Sequence, residues 1–221
     1  MRRFMTQNTA NHDASDTIVA VHTRRAIVLN AQKADPAWVS ASPVAFCSDW
    51  QGKNADPERE TQVRALWAAK TIYLRFECRY RKLCTFDDSE PNGRRDRLWE
   101  RDVAEAFLQP HDAAGPYYKE FEVSPNGMWI DLDIFPGGLA DLKSRLRSSV
   151  WLDLASRLWV AEMAIPMKAL TTQFDPKFDW RVNFFRVEGL KEPRFYSAWQ
   201  PTHTLKPNFH VPEAFGHMQF R

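Results

Sequence analysis

Glycine is scarce in this chain: 8 of 221 residues, none in a glycine-rich turn leading into a helix. That excludes the phosphate-cradling loops of nucleotide sites, which present backbone amides at a helix N-terminus. Cysteine is scarcer. Cys47, Cys78 and Cys84 are an odd number in no dense framework, which argues against a disulfide scaffold. No apolar run approaches the ~20 residues of a membrane-spanning helix. Met1-Arg2-Arg3 is followed by no apolar segment and Thr6 to Asp16 is polar, so no secretory signal is read here. The expected compartment is the cytoplasm, or the periplasm or exterior if the start is misassigned. Basic clusters are also missing. The net charge is +2, and Lys and Arg pair only locally, as at Arg24–Arg25 and Arg94–Arg95. A nucleic-acid partner needs clustered positive charge and is not expected; neither is a membrane partner. There is no G-x-S-x-G elbow, no H-E-x-x-H and no paired-cysteine zinc motif.

What is present is apolar and aromatic. Hydrophobic residues make up 44% of the chain, and nine tryptophans stand among them. Disorder is excluded for most of the length, and any ring left outside the core marks a binding surface. The dominant pattern has a period of two, the strand signature. Thr61–Trp67 alternates. Ile72, Leu74, Phe76 and Cys78 then share one face, with Tyr73, Arg75, Glu77 and Arg79 on the other; a buried free thiol is expected at Cys78. Val103–Leu108 is a short apolar strand. Phe121–Val123 runs into Ser124-Pro125-Asn126-Gly127, a type I turn by its Pro and Gly positions. The returning arm places Met128, Ile130, Leu132 and Ile134 inward and Trp129, Asp131 and Asp133 outward, making Trp129 a candidate exposed ring. Further strands are expected at Ser149–Leu154, Leu158–Ile165, Trp180–Glu188, Arg194–Trp199 and His217–Phe220. Helical turns are expected at Pro166–Leu170 and Ala140–Leu146. Many short strands separated by turn signals specify an all-β fold, a two-sheet antiparallel β-sandwich of immunoglobulin-like or jelly-roll type with at most short helical turns. Residues 1–16 read as a flexible tail and 17–221 as one domain, with a charged loop at Phe86–Arg97 and a proline-rich one at Gln200–Ala214.

Few residues stand out chemically. Glu120 and Glu122 lie on one strand face, about 7 Å apart by strand rise, as do Asp131 and Asp133; both pairs read as the alternating charges of an outer sheet face. His203 and His210 share a loop and read as solvated. Asp87, Asp88 and Asp96 are weak calcium candidates, supplying loop oxygens. Sugar recognition needs an aromatic face for the apolar side of a pyranose, and polar groups at its rim. Trp99 ends the charged loop beside a strand bearing Asp102 and Glu105, and Trp199 ends another strand before the proline-rich loop. Glu105 shares a face with Val103 and Phe107, so its carboxylate either pairs internally, for instance with Arg186, or faces a ligand.

In order along the chain, Thr61–Trp67 with Ile72-Tyr73-Leu74, Trp99-Glu100-Arg101-Asp102-Val103-Ala104-Glu105-Ala106-Phe107, Tyr118 to Val123, Trp159–Pro166, Arg181-Val182-Asn183-Phe184, Ala198-Trp199-Gln200-Pro201-Thr202 and Phe215-Gly216 resemble carbohydrate-binding module family 9. The resemblance spans roughly Val19 to Phe220. It implies a two-sheet antiparallel sandwich with a sugar slot between two tryptophan rings, matched here by Trp99 and Trp199, and a hydroxyl-binding carboxylate matched by Glu105. Glu122 and Ser124 are further ligand-binding candidates by the resemblance; they fall where the family offers Arg and Asn partners, so this sequence departs there. The Lys206–Glu213 loop looks typical of a stand-alone bacterial subgroup, and Asn208 and His210 are rim candidates.

The expected function is therefore non-catalytic binding of a mono- or oligosaccharide, or of a polysaccharide chain end, in the service of carbohydrate catabolism. No cofactor is expected beyond a structural calcium. Two other readings stand beside it. One is a haem-binding redox sandwich using Met128, Met163 or Met167 with His210 or His217. The other is a glycoside hydrolase acting through Glu105 with Asp102 or Glu122.

Overall fold

The structure is a computed structural model describing residues 15–90 and 93–221. All but Ser15 and Asp16 of the expected tail lie outside the described residues. Thirteen strands occur among the described residues: β1 (Thr17–His22), β2 (Val44–Phe46), β3 (Thr61–Ala68), β4 (Thr71–Arg79), β5 (Val103–Gln109), β6 (Tyr118–Val123), β7 (Trp129–Phe135), β8 (Gly138–Asp141), β9 (Arg147–Asp153), β10 (Leu158–Pro166), β11 (Trp180–Glu188), β12 (Phe195–Ala198) and β13 (Gly216–Phe220). Among the described residues helix is confined to short 3-10 turns, one of them at Met167–Ala169 inside the expected Pro166–Leu170 turn. No helix among the described residues is long and apolar enough to cross a membrane. The expected turn at Ala140–Leu146 instead begins as the end of β8.

Hydrogen-bonded neighbours run β8-β7-β6-β5-β11-β13-β1-β3-β4-β10-β9, with β12 beside β11 and β2 beside β3. The two arms of this path face each other across one core, which makes the sandwich. Ala104, Ala106, Phe121, Val123, Val182 and Phe184 from the β5-β6-β11 arm meet Val63, Leu74, Phe76, Trp159 and Met163 from the β3-β4-β10 arm. The rings of Phe76 and Phe184 touch edge to face, 5.8 Å between centroids. Cys78 is fully buried in this core as a free thiol. The pairing is not wholly antiparallel, because β1 runs parallel to both β13 and β3. A strand inserted between two others that point the same way must itself be parallel to both or antiparallel to both, and no local turn signal announces which.

The β6–β7 turn forms as its sequence specifies. Gly127 N–H donates to the Ser124 carbonyl at 2.9 Å, with Gly127 at φ +87°, a conformation glycine adopts without Cβ strain. The exposed-face assignments fare differently. Ile130, Leu132 and Ile134 are buried, but in a second apolar cluster on the outer side of the β5-β6-β7-β11 arm, with Val103, Phe107, Phe185 and Phe209. Trp129 therefore points the other way, half-buried against the main core, and is not an exposed ring. On the opposite arm, Tyr73 is buried in a third cluster with Ile27, Trp38 and Leu66. Arg75 beside it is held by Glu162 and Glu77. Residues 23–43 cover that outer face, so neither arm has the open polar side its alternation suggests.

Candidate functional site

The second apolar cluster surrounds a cavity of about 250 Å³ on the outer face of the β5-β6-β7-β11 arm. Its floor comes from the sheet: Glu105 on β5, Glu120 on β6, Leu132 on β7 and Val187 on β11. Its walls come from loops: Trp99 from the 3-10 turn Leu98–Glu100, Arg194 and Tyr196 around the start of β12, and Pro207 to His210 of the proline-rich loop.

These loops are fixed rather than merely adjacent. Arg194 Nη1 donates to the Trp99 carbonyl at 2.9 Å, and its Nε donates to the Tyr196 hydroxyl at 2.8 Å. One guanidinium thus ties the Trp99 turn to β12, a use of its forked donor geometry that lysine lacks. Phe209 lies flat on Phe185, centroids 4.2 Å apart and planes 13° from parallel, which pins the proline-rich loop to the sheet. The Tyr118 hydroxyl hydrogen-bonds His210 Nδ1 at 2.6 Å.

Pleat parity explains the acidic floor. Ala104 and Ala106 point into the main core, so Glu105 between them points outward; Phe121 and Val123 do the same for Glu120 and Glu122. In the antiparallel register Glu105 stands opposite Glu122. One carboxylate oxygen from each of Glu105, Glu120 and Glu122 lies within 4.8 Å of the other two. All three residues are buried, Glu122 completely. As carboxylates, Glu105 Oε1, Glu120 Oε2 and both oxygens of Glu122 meet no hydrogen-bond donor. Burial comes first in raising the Glu105 carboxyl well above the usual carboxylate range, and the charge on Glu120 adds to it, against Arg194 and Arg186. Burial, then the charges of Glu105 and Glu120, does the same for Glu122. Glu120 is raised by burial and relieved by a hydrogen bond with Glu122 and by His210. Acceptor-only groups crowded in low dielectric have this outcome: the charged form is disfavoured twice.

Trp99, Glu105, Asn208 and His210 line one cavity, and Glu122 lies against its floor without lining it. Trp199 is elsewhere. It is 3% exposed and packs in the inter-sheet core against Phe184, 5.5 Å between centroids, where Gly216 leaves room that a Cβ would take from its ring. Its side chain is on the wrong side of the sheet to clamp a ligand in this cavity. Ser124 is buried in the β6–β7 turn and does not reach the cavity either. The Glu105–Arg186 ion pair does not form, because Arg186 faces Ala104 across the ladder and turns into the core, 5.0 Å above the Trp159 ring. Asp102 is spent on the Gly189 and Cys84 amides. Glu120, Glu122 and Asp131, read as outer-face charges, are all buried.

Sequence reading missed Glu120, Arg194, Tyr196 and Phe209 as lining residues. The available signal was Tyr118, Glu120 and Glu122 sharing a face with Val103 and Phe107, an apolar and acidic mixture that an open surface does not require. Of the calcium candidates, Asp88 pairs with Arg95 and Asp96 with Arg94, and Asp87 is exposed; the carboxylates the fold gathers are others. The methionines of the haem reading divide between clusters, Met163 and Met167 in the main core and Met128 in the second.

Residues 31–220 match the family model described as carbohydrate family 9 binding domain-like. The chain belongs to this family. Solved family 9 modules from Caldicellulosiruptor kristjanssonii share its fold. One, in complex with cellotriose, superposes with a TM-score of 0.64 at 15% identity, covering 93% of each chain. One in complex with glucose gives 0.64 at 16% identity, over 93% of this chain and 95% of that one. An "Extracellular protein" of Arthroderma benhamiae is 27% identical over 181 residues, 74% of this chain and 80% of the relative.

Proposed function

We propose that this family 9 domain binds a sugar ring in the cavity walled by Trp99, without cleaving it, as part of carbohydrate breakdown. The observation that carries the reading is the meeting of Trp99 and Glu105 in one cavity, from a 3-10 turn and a strand respectively. The indole supplies a flat apolar face for the C–H side of a pyranose, and the carboxyl beneath it accepts from or donates to hydroxyls. Asn208 and His210 stand at the rim. Tyr196 and Phe209 supply the further aromatic surface that Trp199, in the core, does not. The ligand classes that fit are a monosaccharide, an oligosaccharide or a chain end. Family membership supports the same reading, as do the sugars named in the two superposed modules. Hydrolysis asks for one carboxyl held ionised beside one held protonated, whereas the floor carboxyls are all shifted the same way.

The test is binding of the purified chain to a glycan array that includes glucose and cellotriose, followed by calorimetry with Trp99→Ala. Binding by the wild type that weakens about tenfold or more in Trp99→Ala, a loss of about 1.4 kcal/mol, supports the assignment. A folded wild-type protein that binds no glycan overturns it. Release of reducing sugar from a bound glycan, lost in Glu105→Gln, replaces it with a hydrolase.

A further inference from the structure

Three acidic side chains meeting in a fold are ordinarily separated by arginines or opened to water. Here no arginine stands between them, and all three are at most 3% exposed. Glu105 and Glu122 are a direct cross-strand pair, the arrangement in which like charges destabilise a sheet. Glu120 is two residues along the same strand face. None of the three forms an ion pair among the described residues; Arg194 is committed to Glu192, Tyr196 and the Trp99 carbonyl, and Arg186 lies on the other side of the sheet. Glu122 is the sharpest case: 0% exposed, with neither carboxylate oxygen meeting a donor while the group is ionised, and with one of them directed into the cluster. A buried polar group without a partner costs about 1–3 kcal/mol, and more when charged. Glu105 Oε1, Glu120 Oε2 and both Glu122 oxygens are without a donor, and one oxygen of each residue converges on the other two, which suits a single electron-pair acceptor.

The donor set says what that is. All the ligand atoms are carboxylate oxygens, which suit hard divalent ions and not the softer metals that select sulfur or imidazole. Calcium holds its oxygens at about 2.3–2.6 Å in adaptable geometry, so two oxygens on opposite sides of one ion stand at most about 5 Å apart. The mutual separations at the cluster, within 4.8 Å, fall inside that span. The floor is made of two paired strands, so the ligands arrive positioned by the ladder. We propose that Glu105, Glu120 and Glu122 bind a divalent cation of the calcium class at the base of the cavity. Because Glu105 and Glu120 also line the cavity, the ion presents an open face to it.

The experiment is calorimetric titration of calcium chloride, and separately manganese chloride, into full-length protein first stripped with EDTA and then freed of chelator, with no sugar present. The wild type is expected to take up one ion with an affinity tighter than 1 mM and to melt at a higher temperature with it. Glu122→Gln keeps the side-chain shape while removing one charge, and is expected to weaken uptake at least tenfold; Glu105→Gln serves if that variant does not fold. A wild type showing neither uptake nor a shift in melting with either ion overturns the proposal. So does a folded variant that binds as the wild type does. Since the titration contains no glycan, its failure and the failure of the sugar assignment are separate results.

Discussion

Glu105 on β5 and Glu122 on β6 face each other in the antiparallel register, and both are buried. Their carboxyls, with Glu120, hold protons to higher pH than an exposed glutamate does. The native state thus keeps protons that the unfolded chain, titrating near pH 4.3, has already released. Where the native state binds more protons, stability falls as pH rises.

The expected consequence is a pH-dependent gain from removing one charge. The charged and titratable groups that act on the three carboxyls are Arg194, Arg186, His210 and the Tyr118 hydroxyl. With EDTA present, Glu122→Gln should melt above the wild type at pH 8, by about 2–4 °C for each kcal/mol of relief. The difference should shrink as pH falls toward the ordinary carboxylate range, because protonation then removes the wild type's extra charge as well. Thermal melts from pH 8 down to that range check it; a difference that is constant with pH, or that grows on acidification, contradicts the linkage.

Trp199 makes the opposite kind of prediction from Trp99. It fills the inter-sheet core beside Phe184 and Gly216. Trp199→Ala should cost about 3–5 kcal/mol in urea unfolding, whereas Trp99→Ala, on a half-buried turn, should cost much less stability while removing sugar binding. Equal stability losses in the two variants would contradict the assignment of Trp199 to the core.

The three cysteines should separate by reactivity. Burial pushes the Cys78 thiol up to about 11, partly offset by Arg186, so at pH 8 about one thiol in a thousand is ionised. Burial also raises Cys47, to a lesser degree, and Cys84 is half-buried. Reaction with a disulfide reagent at pH 8 should leave one thiol per native chain unlabelled and none in urea. Mass spectrometry that finds Cys78 modified in the native protein would contradict its burial.

The strand framework was legible wherever a period of two ran for six residues or more. β3, β4, β7, β10 and β11 lie within a residue or two of their expected bounds, and the β6–β7 turn follows from its Pro and Gly. β1, β2 and β8 were not named, being short or joined through distant partners such as β13. Alternation tells which residues share a face but not what covers that face. For this reason Trp129 and Glu120 were both assigned to open surfaces that the fold closes, one with the main core and one with the proline-rich loop. Trp99 and Glu105 were legible because a turn and the strand after it place them together. Arg194, Tyr196 and Phe209 were not, since they reach the cavity from segments about 90 residues or more further along the chain, and only the fold brings them back.

The Phe209–Phe185 stack holds one loop over a floor built by the sheet. The two parts of the cavity are thus encoded separately: floor residues are bound by the ladder and by the core on their other side, while the roof is held by that stack, by the Tyr118–His210 hydrogen bond and by the Trp50 indole, which donates to the Thr204 carbonyl. Residues 205–208, between those anchors, can change in composition without disturbing a strand. A lineage carrying this scaffold can therefore explore new ligands by rewriting one short stretch, at little risk to folding.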